Sequence, residues 1–159
     1  MYVRYIFVDR RVTAMLAQIR RQALPGGMIA MIERIGGVKS GTGGQALPFC
    51  QATKAGGFVF VSGQVAMNPE GEIVDGGIVT QTHQTMRNVI AILEKAGCTL
   101  DDVVNSECWL SDPREFVPFN AIYKTYFTKD PPVRSVFPSQ FMFGCKVEMK
   151  VVAYKPLTK

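Results

Sequence analysis

The chain has 159 residues, 47% of them hydrophobic and 19% charged, with a formal net charge of +5. That length suits one domain with room for a tail, and no apolar run is long enough for a membrane span. Much of the positive excess sits early, at Arg4, Arg10, Arg11, Arg20 and Arg21, so the remainder lacks the clustered basic stripe of a nucleic-acid surface.

Cysteine and histidine usage narrows the chemistry further. Cys50, Cys98, Cys108 and Cys145 are scattered, with no C-x-x-C pair, and His83 is the single imidazole. The pattern argues against a metal site or a Cys–His catalytic pair. Reduced thiols in a cytoplasmic protein are the default.

In chain order, residues 1–33 stand apart, with arginines but no lysine and few acids. Val12–Arg21 reads as a short amphipathic helix stopped by Pro25-Gly26-Gly27. The segment has the composition of an organellar transit peptide, which would place the protein in an organellar matrix, but Asp9 and the scarcity of serine count against that. The expectation is a weakly packed or disordered N-terminal extension over 1–33 and a compact domain over 34–159.

Ile35–Gly44 is glycine-rich and reads as a loop. Leu47–Ala52 reads as a short edge strand with Pro48 at its start. Phe58–Ala66 is a buried strand interrupted by Gly63, and glycine inside a strand marks a bulge or a close approach of backbone or ligand. Asn68-Pro69-Glu70-Gly71-Glu72 is a turn leading to a short segment at Ile73-Val74.

Gly77–Gly97 reads as a helix with Met86, Val89, Ile90 and Leu93 on its apolar face and Gly97 as its C-terminal stop. His83 falls on its polar face. A third strand runs from Val103 to Ser111. Asp112-Pro113 opens a second helix by N-cap and first-turn proline. Its stripe of Phe116, Phe119, Tyr123, Tyr126 and Phe127 includes Asn120, a polar side chain that must find partners there.

Two strands close the chain. Arg134 sits in a short apolar run after Pro131-Pro132, where a guanidinium suits two-point binding of a carboxylate or a weak surface ion pair. In the last strand, Val147, Met149, Val151 and Ala153 share one face. If these strands are antiparallel neighbours turning near Phe141, Arg134 lies opposite Glu148. Either a cross-strand salt bridge or an anion grip beside a water-orienting carboxylate fits that register. The element order is that of an α+β fold, a mixed sheet with two helices on one face. Oligomerisation is one way to cover what the helices leave bare.

Several motifs resemble the Rid (YjgF-type) reactive intermediate deaminases, also called the endoribonuclease L-PSP family. They are Ser62-Gly63-Gln64 with Asn68-Pro69-Glu70-Gly71-Glu72, Gln84 with Asn88-Val89, Asn120 with Tyr123, Tyr126 and Phe127, Pro132-Val133-Arg134-Ser135, and Val147-Glu148-Met149. Their joint order covers most of the chain after Arg34. The resemblance implies a chorismate-mutase-like fold and a homotrimer with intersubunit sites. It also implies cofactor-free hydrolysis of 2-imino and enamine acids to 2-keto acids and ammonia, as in a 2-iminobutanoate/2-iminopropanoate deaminase.

In that family pattern Arg134 binds the substrate carboxylate and Glu148 places the attacking water. Gly63 offers backbone contact, and Asn120 shapes the cleft. Three positions depart from it: Phe49 stands where many members have tyrosine, Val136 where many have cysteine, and Lys150 where an acid is common. Val136 keeps only its backbone groups for substrate. A non-enzymatic trimer binding small carboxylates or proteins is the competing reading. A ribonuclease is the other, opposed by the weak basic patterning.

Overall fold

The computed structural model describes residues 32–40, 46–142 and 144–156. The expected extension lies outside the described residues as far as position 31, and Ile32 and Glu33 open the first strand. That strand, β1 (Ile32–Ser40), occupies part of the stretch expected to be a loop. It pairs antiparallel with β2 (Ala46–Ala55), and register shifts fall on both sides of Val38. Gly36, at φ +79°, sits at the first of these shifts. The glycines that suggested a loop bend a strand whose backbone groups are satisfied by β2. β2 is longer than expected and lies between β1 and β3, with Pro48 in the irregular stretch from Ala46 to Cys50.

β3 (Phe58–Val61) and β4 (Gln64–Val65) are one apolar run split at Ser62-Gly63. After the split the chain turns through Asn68–Glu72. The Glu72 N–H donates to Asn68 Oδ1 at 2.8 Å, and Gly71 takes φ +89°. Helix α1 (Ile78–Lys95) follows. It ends in a Schellman motif, with Cys98 N–H donating to the Leu93 carbonyl, Gly97 N–H to that of Glu94, and Gly97 at φ +75°. Its buried stripe is Met86, Val89, Ile92 and Leu93 with Thr82 and Thr85, while Ile90 is only half-buried.

β5 (Val103–Leu110) leads through a short 3-10 turn at Pro113–Glu115 into α2 (Phe116–Tyr126), then β6 (Val133–Pro138) and β7 (Val147–Tyr154). Asp112 caps the turn, accepting from the Arg114 N–H at 2.9 Å. Its hydrogen bonds from Arg114 hold its carboxyl at about 2.

The sheet order is β1-β2-β3-β7-β5-β6, with β4 also on β7. β5, α2 and β6 form a crossover unit, so β6 runs parallel to β5. β7 pairs antiparallel with β5 on its other side. The expected β6–β7 hairpin is therefore corrected: β5 stands between them. Prolines before and at the end of β6 suit an edge. β7 has Val147, Met149, Val151 and Ala153 fully buried and takes the central place.

Both helices contribute to a core on one face of the sheet, where Met86, Val89, Leu93, Phe119 and Tyr123 join Val59, Val61, Cys108, Leu110 and the buried face of β7. On the other face Phe58, Phe60 and Tyr154 remain 43–45% exposed, with the Phe58 and Tyr154 rings 4.9 Å apart. No helix among the described residues is long and apolar enough to cross a membrane.

Candidate active site

The sequence-predicted site residues fall into two groups on opposite faces of the sheet. Arg134 is level with Ser106, which is level with Val151 of β7. Directly opposed residues share a face, so Arg134 lies on the helix-covered side. Glu148 is level with Trp109, one position out of phase with the buried Val147 and Met149, and so belongs to the open side. Arg134 does not meet Glu148 within one chain, and the cross-strand salt bridge is ruled out.

Around Arg134 the crossover helix supplies the setting. Asn120 Oδ1 accepts a hydrogen bond from the guanidinium at 2.8 Å. The guanidinium carbon lies 4.5 Å from the Tyr123 ring centre and 5.9 Å from that of Phe119. The contact with Tyr123 is of the cation–π kind. Asn120 thus has the partner its place in an apolar stripe demanded, and that partner is the arginine. Among the described residues Arg134 has no carboxylate partner. The guanidinium is positioned by one helix while most of its donors stay open. Val136, next on the same face, lines a shallow depression of about 280 Å³ with Phe116 and Leu110. Cys108 lies in the core near the arginine, and burial pushes its thiol up to about 11.

Around Glu148 the chain forms a cleft of about 430 Å³, with Phe49, Gly63, Gln64, Phe141, Met142 and Cys145 among its walls. Glu148 lies against Gly63 so closely that a Cβ there would collide with the carboxylate. The glycine that interrupts the β3–β4 run leaves the carboxylate the place it occupies, and a Cβ there would make the end of the Glu148 side chain shift. Burial raises the Glu148 carboxyl above the usual range.

The frame of this cleft comes from motifs that the sequence left without a role. Asn88 Nδ2 donates to the carbonyls of Val65 and Met67, each at 2.9 Å, and Gln84 Nε2 to Asn88 Oδ1 at 3.0 Å. Helix α1 is thereby fastened to β4. Ser62 Oγ donates to the Cys50 carbonyl at 2.7 Å, tying the strand break to β2 beside Phe49. Sequence reasoning missed Phe141, Met142 and Cys145. Their one signal was an apolar cluster in a connection, where polar residues are usual. His83 plays no part here and lies 2.7 Å from the Tyr126 hydroxyl, between the helices.

Residues 44–155 match the family model described as Endoribonuclease L-PSP. The chain belongs to this family, the Rid/YjgF proteins. A RutC family protein of Pyrococcus abyssi is 43% identical over 110 residues, 68% of this chain and 87% of its own length. The human 2-iminobutanoate/2-iminopropanoate deaminase is 34% identical over 114 residues, 70% of this chain and 83% of its own. Among solved structures, RidA from an Antarctic Psychrobacter superposes with a TM-score of 0.67 at 28% identity, covering 78% of this chain and 98% of that one. The α+β architecture read from the element order is that of these family structures.

Proposed function

We propose that the protein is a 2-imino acid deaminase that works as a homotrimer, with each site formed by Arg134 of one protomer and Glu148 of its neighbour. The observation that carries this reading is the Arg134 guanidinium, held by Asn120 and Tyr123 with no carboxylate of its own chain beside it among the described residues. A planar cation so prepared grips a carboxylate through two parallel hydrogen bonds. The names of the human and mouse relatives support the same chemistry. The exposed Phe58, Phe60 and Tyr154 give a second copy an apolar surface to cover.

The reaction needs placement more than activation. Arg134 fixes the substrate carboxylate, and the protonated imine carbon is already electrophilic. Glu148 orients a water against that carbon and accepts its proton as the C–O bond forms. The proton then goes to nitrogen, and the C–N bond breaks as the new hydroxyl closes to a carbonyl and gives its proton to Glu148. The departing ammonia takes that proton up, leaving a 2-keto acid and ammonium. Orientation of this kind contributes several kcal/mol without a covalent intermediate. Gly63 leaves the carboxylate room and exposes backbone to the substrate.

The test is ammonia release from freshly generated 2-iminobutanoate, with wild type and Arg134→Ala compared under conditions where both are folded. The expected result is accelerated release by wild type and near-background release by the variant. Release at background by wild type would defeat the reading and favour a non-enzymatic carboxylate- or protein-binding trimer, and equal accelerated rates would defeat it in this form by removing Arg134 from the reaction.

A further inference from the structure

We propose that the cleft over Glu148 takes imino acids with large apolar side chains, branched aliphatic, thioether or aromatic, in preference to those with one- or two-carbon side chains. This rests on the deaminase reading and names the substrate class at the same site. In a single protomer the cleft measures about 430 Å³, which leaves room for a ligand larger than an alanine-derived imine beside a neighbour's arginine. Three of the polar side chains at its edge are already committed, and Gln140 stands exposed at the rim. Ser139 Oγ donates to the Gln140 carbonyl at 3.1 Å. Gln64 Nε2 donates to the carbonyls of Ser62 and Gly63 at 2.9 and 3.0 Å. Asn88 Nδ2 is spent on Val65 and Met67. Glu148 is left as the group that acts on water.

The apolar walls are Phe49, Val65, Met67, Phe141 and Cys145, with Met142, 94% exposed, at the rim beside Ser139 and Gln140. Phe49 brings a ring without a hydroxyl, so it holds no water against the substrate. Cys145 is buried and its thiol is raised, chiefly by that burial, so it behaves as a small hydrophobe. The half-buried Met67 adapts to side chains of different shape. A methyl or ethyl substituent leaves these surfaces wet, whereas a longer chain removes them from water and gains dispersion contacts. In apolar pockets one methylene changes kcat/KM by roughly 10- to 200-fold. A leucine-, methionine- or phenylalanine-derived imine should therefore exceed the alanine-derived one by roughly tenfold or more.

The experiment generates each imine in the reaction vessel with an amino acid oxidase of broad specificity and catalase. Residual imine is trapped with semicarbazide and followed by absorbance, with spontaneous hydrolysis subtracted. Wild type and the loop variant Phe141→Ser are compared, and the oligomeric state of both is measured by sedimentation equilibrium. The expected result is a bulky-to-small ratio of roughly ten or more for wild type, narrowed in Phe141→Ser. Acceleration of all imines with the alanine-derived one equal or faster overturns this inference and leaves the deaminase reading standing. Acceleration of none overturns both. An unchanged ratio in Phe141→Ser with a dissociated assembly assigns these walls to the subunit interface, and the inference falls.

Discussion

The two faces of the sheet are built to different rules. The helix-covered face is a packed core into which one guanidinium is fitted, with Asn120 at 2.8 Å and the Tyr123 ring beneath it. The open face leaves Phe58, Phe60 and Tyr154 uncovered and carries Glu148, in a cleft walled by Gly63, residues of the 139–145 connection and Asn88 of α1. Each face holds half of the chemistry that the family resemblance implies. Strand alternation forbids one chain from joining them, because residues of opposite phase point to opposite sides. A two-chain site follows from that geometry if both groups serve one reaction.

The largest expected effect is on the arginine. Arg134→Lys keeps the charge and loses the planar fork. Its kcat/KM should fall roughly thirty- to thousandfold, about 2–4 kcal/mol, with a cooperative thermal transition retained. Activity close to wild type would mean that a point charge suffices and that two-point binding is wrong.

The comparison is sharpened by separating the halves. Glu148→Gln should slow turnover on the order of tenfold or more while leaving carboxylate binding largely intact. Mixed trimers co-assembled from Arg134→Ala and Glu148→Gln chains should recover roughly a quarter of the wild-type rate, as random assortment rebuilds intact sites. No recovery in trimers shown to be mixed would place both groups in one chain's site.

The open face is tested by charge. Phe60→Lys adds an ammonium to an aromatic surface that the trimer would bury, and desolvating it costs several kcal/mol. Sedimentation equilibrium at micromolar concentration should give monomers for the variant and trimers for wild type. Helix content by circular dichroism should be unchanged, since Phe60 is not in the core. A monomeric wild type would remove the trimer from the account.

The smallest effect is a pH-dependent one. Burial raises the Glu148 carboxyl in the folded chain. The folded state then binds more protons than the unfolded one, so stability falls as pH rises from the unfolded value through the folded one. Glu148→Gln should melt slightly above wild type at pH 7, with the gap closing below about pH 4. A gap that widens at acid pH would mean the carboxylate is stabilised rather than strained.

Wherever neighbours in sequence decide the outcome, the amino-acid string alone was sufficient. The alternation of Val147, Met149, Val151 and Ala153 places them on one buried face whatever the strand pairs with. The Asp112-Pro113 entry, the Gly97 stop and the Asn68–Glu72 turn are closed by hydrogen bonds within a few residues. Arg134 and Asn120 were legible as groups needing partners, because a polar group in an apolar run must be satisfied. Only the tertiary structure decided which partners. The hairpin that set Arg134 against Glu148 assumed that strands adjacent in sequence are adjacent in space. β5 takes the middle instead, because the α2 crossover lays β6 parallel on one flank and β7, apolar along one whole face, seeks the centre. The strand at Ile32–Ser40 is of the same kind: its glycines read locally as a loop, and its ladder exists only because β2 passes beside it. Pairing and register are set by contacts between distant segments, and no local pattern encodes which segment will arrive.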